Sequence, residues 1–233
     1  GDVDLITGKI EFFGDVEISG NVESGVIIRA SRNVMISGHV EAVNIYAGGD
    51  VVIKGGISGG QKATITAKGD VCAVFIEHTT VTAGGNVRAN SFIGSTVDSR
   101  GTVMAEGKNG SIIAGYTRGL FGVAATDLGN DAETKTYVAS GYTGEEYTRY
   151  LELFQQESET QQILSDTVEE MSAILKRKRL GQETDNPDDD EALLSLNEKK
   201  DKYFDMLDKV RSEKEALAAV IEAGKGSSIS VNN

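Results

Sequence analysis

Tryptophan is absent from this sequence of 233 residues, and proline and cysteine occur once each. A single cysteine, Cys72, excludes an intrachain disulfide framework and favours a reducing compartment such as the cytoplasm. No apolar run approaches the roughly 20 residues that a membrane-spanning helix needs. The formal net charge of −13 argues against a nucleic-acid partner, because phosphates would repel an acidic surface. We therefore expect neither nucleic-acid binding nor direct membrane insertion.

Glycine, by contrast, is abundant and unevenly distributed. Residues 1–142 contain 24 of the 28 glycines and carry 11 Lys and Arg against 15 Asp and Glu, a net charge of −4. Residues 143–233 contain the other 4 glycines and carry 12 Lys and Arg against 21 Asp and Glu, a net charge of −9. This shift predicts two structural regimes. We place a β domain at 1–142, a helical domain at 143–224 and a return strand within 225–233.

The first regime is an internal repeat. Valine and isoleucine alternate with other residues, as in Val16/Ile18 and Val34/Ile36, which predicts strands with one face inward. Equivalent triplets recur at a nearly constant interval, which indicates coils with three short strands and three corners. We predict a mainly β fold, a right-handed parallel β-helix with short triangular coils. The triplets are Gly14-Asp15-Val16, Arg32-Asn33-Val34, Gly49-Asp50-Val51, Gly69-Asp70-Val71, Gly85-Asn86-Val87 and Gly101-Thr102-Val103.

The corners of the coils are expected to hold glycine, Asn and Asp, since such positions often need a positive φ that a Cβ resists. The longest interval, between Gly49 and Gly69, contains Gly55 to Gly60, which we interpret as a widened corner. This segment is not a phosphate-binding loop, because it lacks the Gly-Lys-Ser/Thr ending and does not open a helix. Val, Ile and Ala are expected to fill the interior of the narrow coil. We therefore interpret the β-helix as a rigid spacer without a ligand cavity.

The second regime is predicted to be a long antiparallel coiled-coil hairpin. Thr143 is the expected N-cap, Glu146 completes a capping box, and Tyr142 packs against Tyr147. The first helix is expected to end near Leu180, and the segment from Gly181 to Asp188, which contains the only proline, connects the two helices. The predicted apolar seam of the first helix is Leu151, Phe154, Leu164, Val168, Met171 and Leu175.

The second helix has the more regular heptad pattern. It is expected to end at Ala223-Gly224, after which Ser228 to Val231 alternates as a strand again. Lys200 and Lys214 interrupt the apolar seam, where they set register or leave room for a partner. The predicted seam is Leu193, Leu196, Lys200, Tyr203, Leu207, Val210, Lys214, Leu217 and Ile221.

One cationic cluster is a candidate protein-binding site at the tip of the hairpin: Lys176, Arg177, Lys178 and Arg179. The alternative interpretation is that these cations oppose the macrodipole at a helix C-terminus. The acidic run from Asp188 to Glu191 is the mirror case at the start of the next helix. We expect no metal there, because successive helical residues point in different directions.

The two histidines and the single cysteine are residue types that often act in catalysis, but we assign them structural roles. His39 and His78 do not follow the six-residue rhythm of a hexapeptide acyltransferase, so we expect them at corners or facing solvent. Cys72 has no basic neighbour in the sequence that would mark it as a reactive thiol, and we expect it to be a small packing residue. No catalytic residue, cofactor or metal site is predicted, and we expect the chain not to be an enzyme.

Taken in order, several segments resemble the flagellar assembly protein A family over nearly the whole chain. Arg32 stands where the family usually has a corner glycine, and Val74 and His78 replace its usual Lys and Asn. The chain also resembles, more distantly, bactofilins and the C-terminal domain of the division inhibitor MinC. The resemblance is carried by Gly14-Asp15-Val16 through Gly20-Asn21-Val22, by Ile53 to Ile57, by Gly69 to Glu77, and by Leu128-Gly129 followed by Thr134-Lys135-Thr136.

The resemblance implies a cytoplasmic bacterial scaffold or adaptor for polar flagellar assembly or placement. Its partners would be flagellar or cell-pole proteins, and no functional residues transfer because the shared positions are structural. The alternative is a self-assembling scaffold of the cytoskeleton or of cell division, like bactofilins or MinC, which would make the chain a homo-oligomer.

Overall fold

The computed structural model describes residues 1–4, 6–132, 134–179 and 187–231. The chain divides into two compact units, one formed by Gly1–Gly141 with Ala223–Asn233 and the other by Tyr142–Glu222. We call the first unit the solenoid and the second unit the arm.

The described residues of the solenoid form strands that pair in parallel throughout. Two long sheets result, one ordered β1-β3-β5-β7-β9-β11-β13-β15, with β16 also on β13, and one ordered β17-β14-β12-β10-β8-β6-β4-β2. The strands are β1 (Lys9–Phe12), β2 (Val16–Ile18), β3 (Ile27–Ala30), β4 (Val34–Ile36), β5 (Asn44–Ala47), β6 (Val51–Ile53), β7 (Ile57–Ala67), β8 (Val71–Ala73), β9 (Phe75–Ala83), β10 (Val87–Ala89), β11 (Ser91–Ser99), β12 (Thr102–Ala105), β13 (Ser111–Gly119), β14 (Gly122–Ala125), β15 (Asp127–Leu128), β16 (Thr136–Ser140) and β17 (Ser228–Val231).

The strand register confirms the predicted parallel β-helix, of about seven turns. Val16 pairs with Val34, Val34 with Val51, and the next two triplet valines continue the column. A third column of isolated parallel bridges joins Val3, Val22, Val40 and Ile57, which gives the first coils their third side. The handedness of the coil stays a prediction.

Inward-facing Val, Ile and Ala residues form one continuous core along the solenoid. The three-residue strands β2, β4 and β6 bury their first and third positions. Parallel pairing places identical residue types above one another, so each coil covers the apolar side chains of its neighbours. Fully buried members include Ile28, Ile36, Ile45, Ile53 and Ile65.

One corner of the solenoid is joined from coil to coil by side-chain acceptors. The Oδ1 atom of Asp50 accepts from the backbone N–H of Asp70 at 2.8 Å, and Oδ1 of Asp70 accepts from the N–H of Asn86 at 2.7 Å. Each bond satisfies a corner donor that neither sheet reaches. We call this row the corner ladder; its members are Asp15, Asn33, Asp50, Asp70, Asn86 and, as the last donor, Thr102.

The corner ladder corrects the expected role of the glycines in the repeated triplets. Gly49, Gly69, Gly85 and Gly101 do not have positive φ. A Cβ on Gly69 would instead overlap Oδ1 of Asp50, and a Cβ on Gly85 would overlap Oδ1 of Asp70. Glycine precedes each of these ladder residues because the acceptor of the coil below occupies the space of a side chain.

The widened corner predicted at Gly55 to Gly60 is confirmed by a register shift in β7. Ile57 pairs with Ile76, whereas Ala63 pairs with Thr79, and the register changes between Ser58 and Ala63. The later pair is closer in sequence than the earlier one, so β7 contains additional residues that β9 lacks. These residues bulge from the sheet between Ser58 and Ala63.

A buried arginine lies where the chain leaves the solenoid for the arm. Arg118 is 5% exposed, and its guanidinium donates to both carboxylate oxygens of Asp98, at 2.7 and 3.1 Å. It also donates to the carbonyl of Gly141 at 3.3 Å. The chain returns as β17, which pairs with β14 and confirms the predicted return strand.

The corner ladder predicts that removing the Asp50 side chain recovers part of the stability that Gly69→Ala loses. Gly69→Ala should lower the free energy of unfolding by about 1–3 kcal/mol, because its Cβ overlaps the Asp50 carboxylate. Adding Asp50→Ala should recover part of this loss, although that change alone removes one hydrogen bond worth about 1 kcal/mol. Urea denaturation of the single and double variants measures the coupling.

Gly48→Ala is the matched control, because its Cβ would overlap the backbone carbonyl of Ser31 rather than a side chain. Asp50→Ala should not rescue Gly48→Ala. Equal coupling in the two pairs, or no coupling in either, would contradict the ladder.

Candidate protein-binding surface

The arm begins with the predicted helix cap. Thr143 Oγ1 accepts from the N–H of Glu146 at 3.1 Å, and Oε2 of Glu146 accepts from the N–H of Thr143 at 2.8 Å. The rings of Tyr142 and Tyr147 lie 5.9 Å apart. These contacts confirm the capping box and the hydrophobic contact that fix the start of α1 (Gly144–Arg179).

The second helix, α2 (Pro187–Gly224), has the predicted seam. Leu207, Val210 and Ile221 are buried, and the other predicted seam positions are half-buried. Pro187 is the first helical residue, where a missing N–H is tolerated, instead of lying in the connection. The rest of the predicted connecting segment and Leu180 lie outside the described residues, apart from the backbone of Asp188.

The predicted seam of α1 is wrong for four of its six residues. Leu151, Phe154, Val168 and Leu175 are 50 to 60% exposed. The buried positions follow a different heptad, one that includes polar residues: Leu153, Thr160, Thr167 and Ile174.

Threonine is tolerated in this seam because its hydroxyl is satisfied within the helix. Thr160 Oγ1 donates to the carbonyl of Gln156 at 2.7 Å, and Thr167 Oγ1 donates to the carbonyl of Ile163 at 2.7 Å. The methyl groups then face α2 without a buried unpaired donor. A search for the most apolar stripe therefore selects the wrong face of α1.

Ion pairs across the seam show that the helices are antiparallel. Arg149, near the start of α1, forms a bidentate ion pair with Glu213, near the end of α2. Its Nε and Nη2 atoms donate to Oε1 and Oε2 of Glu213 at 2.9 and 3.2 Å. Glu157, further along α1, pairs with Lys214 and with Arg211, whose Nε lies 2.8 Å from Oε1. Lys214 and then Arg211 hold the pKa of Glu157 below its usual range. Lys214 is thus a register-setting seam residue.

The cationic cluster at the far end of α1 is partly engaged by the acidic start of α2. Arg177 lies 3.8 Å from Asp189, and Lys178 pairs with Asp190. Lys176 borders a groove described next, and Arg179 is exposed. The two clusters that the sequence analysis assigned separately to helix dipoles therefore contact one another. Binding of a protein by this cluster stays a prediction.

A groove of about 700 Å³ lies between the helices near this end of the arm. Small side chains, Ala173, Ala192 and Ser195, keep the helices from filling the space, and Ile174 and Leu196 form its apolar wall. Polar rims on an apolar groove are typical of a site that receives a side chain from another protein. Sequence reasoning missed it; its signal was the small side chains Ala173 and Ser195 directly beside the seam residues Ile174 and Leu196.

The other residues considered in the sequence lie apart from one another on the solenoid. His78 takes a φ of 48° at the bend of β9, as predicted for a corner, and His39 contacts the ring of Phe75. Cys72 is exposed on β8, so the expectation that it packs inside is wrong: alternation turns it outward between buried Val71 and Ala73.

The described residues contain neither a cluster that could hold a metal ion nor a helix that could span a membrane. Within 1–4, 6–132, 134–179 and 187–231, no group of three His, Cys, Asp or Glu side chains is placed to hold a metal ion. In the same part of the chain, no helix is both long and apolar enough to cross a membrane.

Comparison with known proteins gives one match. The family model described as FapA, the Flagellar Assembly Protein A beta solenoid domain, matches residues 1–233, and the chain belongs to this family. No curated protein and no solved structure matches the chain. Family membership links the chain to flagellar assembly.

The corrected seam predicts that one leucine of α1 contributes strongly to stability and that another, two residues away, does not. Leu153→Ala should lower the free energy of unfolding of the arm by about 2–5 kcal/mol, because Leu153 is fully buried. Leu151→Ala should change it by less than about 0.5 kcal/mol, because that side chain is half exposed. Urea unfolding followed by the far-ultraviolet helical signal distinguishes them. A larger loss of stability for Leu151→Ala than for Leu153→Ala would contradict the corrected seam and support the seam predicted from the sequence.

The Glu157 ion pairs predict acid sensitivity. A carboxyl whose pKa is depressed by folding contributes stability above its unfolded pKa of roughly 4.3 and loses it as pH falls through the depressed value. The urea midpoint of the arm should therefore fall below about pH 4.5. Glu157→Gln should flatten this decline, and Glu159→Gln, which lies outside the seam, should not. The same slope in all three proteins would contradict the assignment.

Proposed function

Since the chain belongs to the FapA β-solenoid family, we propose that it is a non-catalytic adaptor in flagellar assembly that binds proteins through its arm. The solenoid supplies a stiff base, and the arm presents the surface that captures a flagellar or cell-pole component in the bacterial cytoplasm.

The observation that carries this proposal is the apolar surface of the arm. Leu194 is 63% exposed, and Phe154 and Phe204 are 60% and 57% exposed, on a hairpin whose own seam already contains polar residues. A helical arm that exposes large apolar side chains while burying threonine is shaped for a partner as well as for its own stability. The apolar groove beside Ile174 adds to this surface.

The chain connectivity supports the division of labour. The arm is inserted between β16 and β17, which belong to different sheets of the solenoid. The two ends of this insertion are close together, because a Cβ on Gly141 would lie 3.2 Å from the carbonyl oxygen of Gly224. A short linker can therefore replace the arm without separating the strands that flank it.

Arm replacement tests the proposal. We expect the intact chain to recover a flagellar or polar protein, identified by mass spectrometry, from the lysate of a flagellated bacterium. A variant in which a Gly-Ser linker replaces Tyr142–Glu222 should lose that recovery while its far-ultraviolet β signal and cooperative unfolding persist.

Two outcomes would contradict the proposed adaptor function of the arm. Equal recovery by the linker variant would place the binding surface on the solenoid. Recovery of more of the same chain and nothing else would favour the self-assembling scaffold.

A further inference from the structure

The outward face of α1 carries a row of residues without charge. Along this row the sequence steps by 4 and 3 in strict alternation from Tyr147 to Leu175, although 13 of the 36 residues of α1 are charged. We call this row the outer stripe; it contains Tyr147, Leu151, Phe154, Ser158, Gln161, Ser165, Val168, Ser172 and Leu175.

The five large apolar members of the outer stripe are 44 to 60% exposed. The stripe is offset from the buried heptad of Leu153 and Ile174, so it lies on a different face of α1 from the buried seam. One of its members, Phe154, also reaches α2 at its edge, where the Lys214 ammonium lies 5.1 Å from the ring centroid. At 1.5 Å per residue it extends for about 42 Å. Its alternating spacing is the pattern that a second helix packs against in a coiled coil.

Acidic residues border one side of the outer stripe. Gln155 and Gln162 lie next to it and donate to Glu159 and Asp166 at 2.8 Å each. Beyond them runs an exposed acidic row at heptad spacing, formed by Glu145, Glu152, Glu159 and Asp166. Within the described part of the arm, no ion pair involves Glu159 or Asp166.

The charge around the stripe decides between possible occupants. Residues 144–175 contain eight Asp and Glu and one Arg, a net charge of −7. A second copy would bring an equally acidic helix against the first, and like charges along a helix interface oppose pairing. A cationic helix would gain from the same field.

We propose that the outer stripe binds an amphipathic helix of a partner protein, with an apolar heptad face flanked by Lys and Arg. This inference rests on the proposed adaptor function and names the chemistry of the partner. The apolar face covers Leu151, Phe154 and Val168, and the flanking cations lie along the acidic row.

Three synthetic helical peptides of equal length test the proposal with the full chain. The first has a Leu heptad face flanked by Lys, the second has the same face flanked by Glu, and the third keeps the Lys but has Ser on the face. By fluorescence anisotropy, the first should bind at least about tenfold more tightly than either of the others. Its affinity should fall as NaCl rises, since salt screens exposed charges.

Substitutions locate the binding on the outer stripe. Phe154→Ser with Val168→Ser should weaken the Lys-flanked peptide by about tenfold or more. Glu159→Gln with Asp166→Asn should weaken it by a few-fold and reduce its salt dependence. Phe13→Ser is the control, because Phe13 is 94% exposed on the solenoid and should leave binding unchanged.

Equal affinity for the Lys- and Glu-flanked peptides, or an effect of Phe13→Ser as large as that of the stripe variant, would overturn the proposal. Dimerisation of the chain through the stripe, seen as a mass that Phe154→Ser with Val168→Ser returns to monomer, would overturn it as well. If lysate capture needs the arm but survives the stripe variant, the adaptor function stands and this inference fails.

Discussion

Vertical repetition is the constraint on which the solenoid depends. Each coil hydrogen-bonds to the coil above and below through parallel strands, so a residue meets its equivalent about 4.8 Å away on both sides. An inward valine is covered by valines, and the carboxylate of Asp50 is fixed by the N–H of Asp70. The corner acceptor in turn requires glycine at Gly69, where even a methyl group would overlap it. The core, corner ladder and glycine spacing are thus consequences of one stacking rule.

The arm follows a different rule. Its two helices are held by a seam in which Thr160 and Thr167 replace large apolar residues and Glu157 pairs with Lys214 and Arg211. Such a seam is specific in register, because each ion pair fits only one alignment of the helices. The larger apolar side chains of α1 are left on its outward face. This distribution makes the arm an element for recognition as much as for structure.

The solenoid could be predicted well from the sequence because repetition leaves a strong signal. The valines of successive triplets became Cα partners, and the interruption at Gly55 to Gly60 became a bulge. The cause assigned to the glycines of the repeated triplets was wrong, because a close approach between coils cannot be distinguished from a positive φ in sequence; other glycines, such as Gly25 and Gly94, do take a positive φ. Cys72 was misplaced because alternation was not applied to it.

In the arm, the buried seam of α2 was predicted correctly and that of α1 was not, for one physical reason. Heptad reasoning assumes that the most apolar stripe is the buried one, which holds for α2, where Leu207 and Val210 are buried. In α1 that stripe lies outside, and a threonine bonded to its own helix takes its place inside. Places where local sequence rules fail in this way are often functional.

Photo-crosslinking in a flagellated bacterium tests most directly whether the arm is the binding surface of a flagellar adaptor. A photoreactive residue would replace Val168 on the outer stripe or, in a second strain, the exposed Cys72 on the solenoid. We predict that position 168 crosslinks to a different protein of flagellar or polar identity and that position 72 does not. Crosslinks to such a protein from position 72 alone would contradict the adaptor function of the arm, as would crosslinks only between copies of this chain.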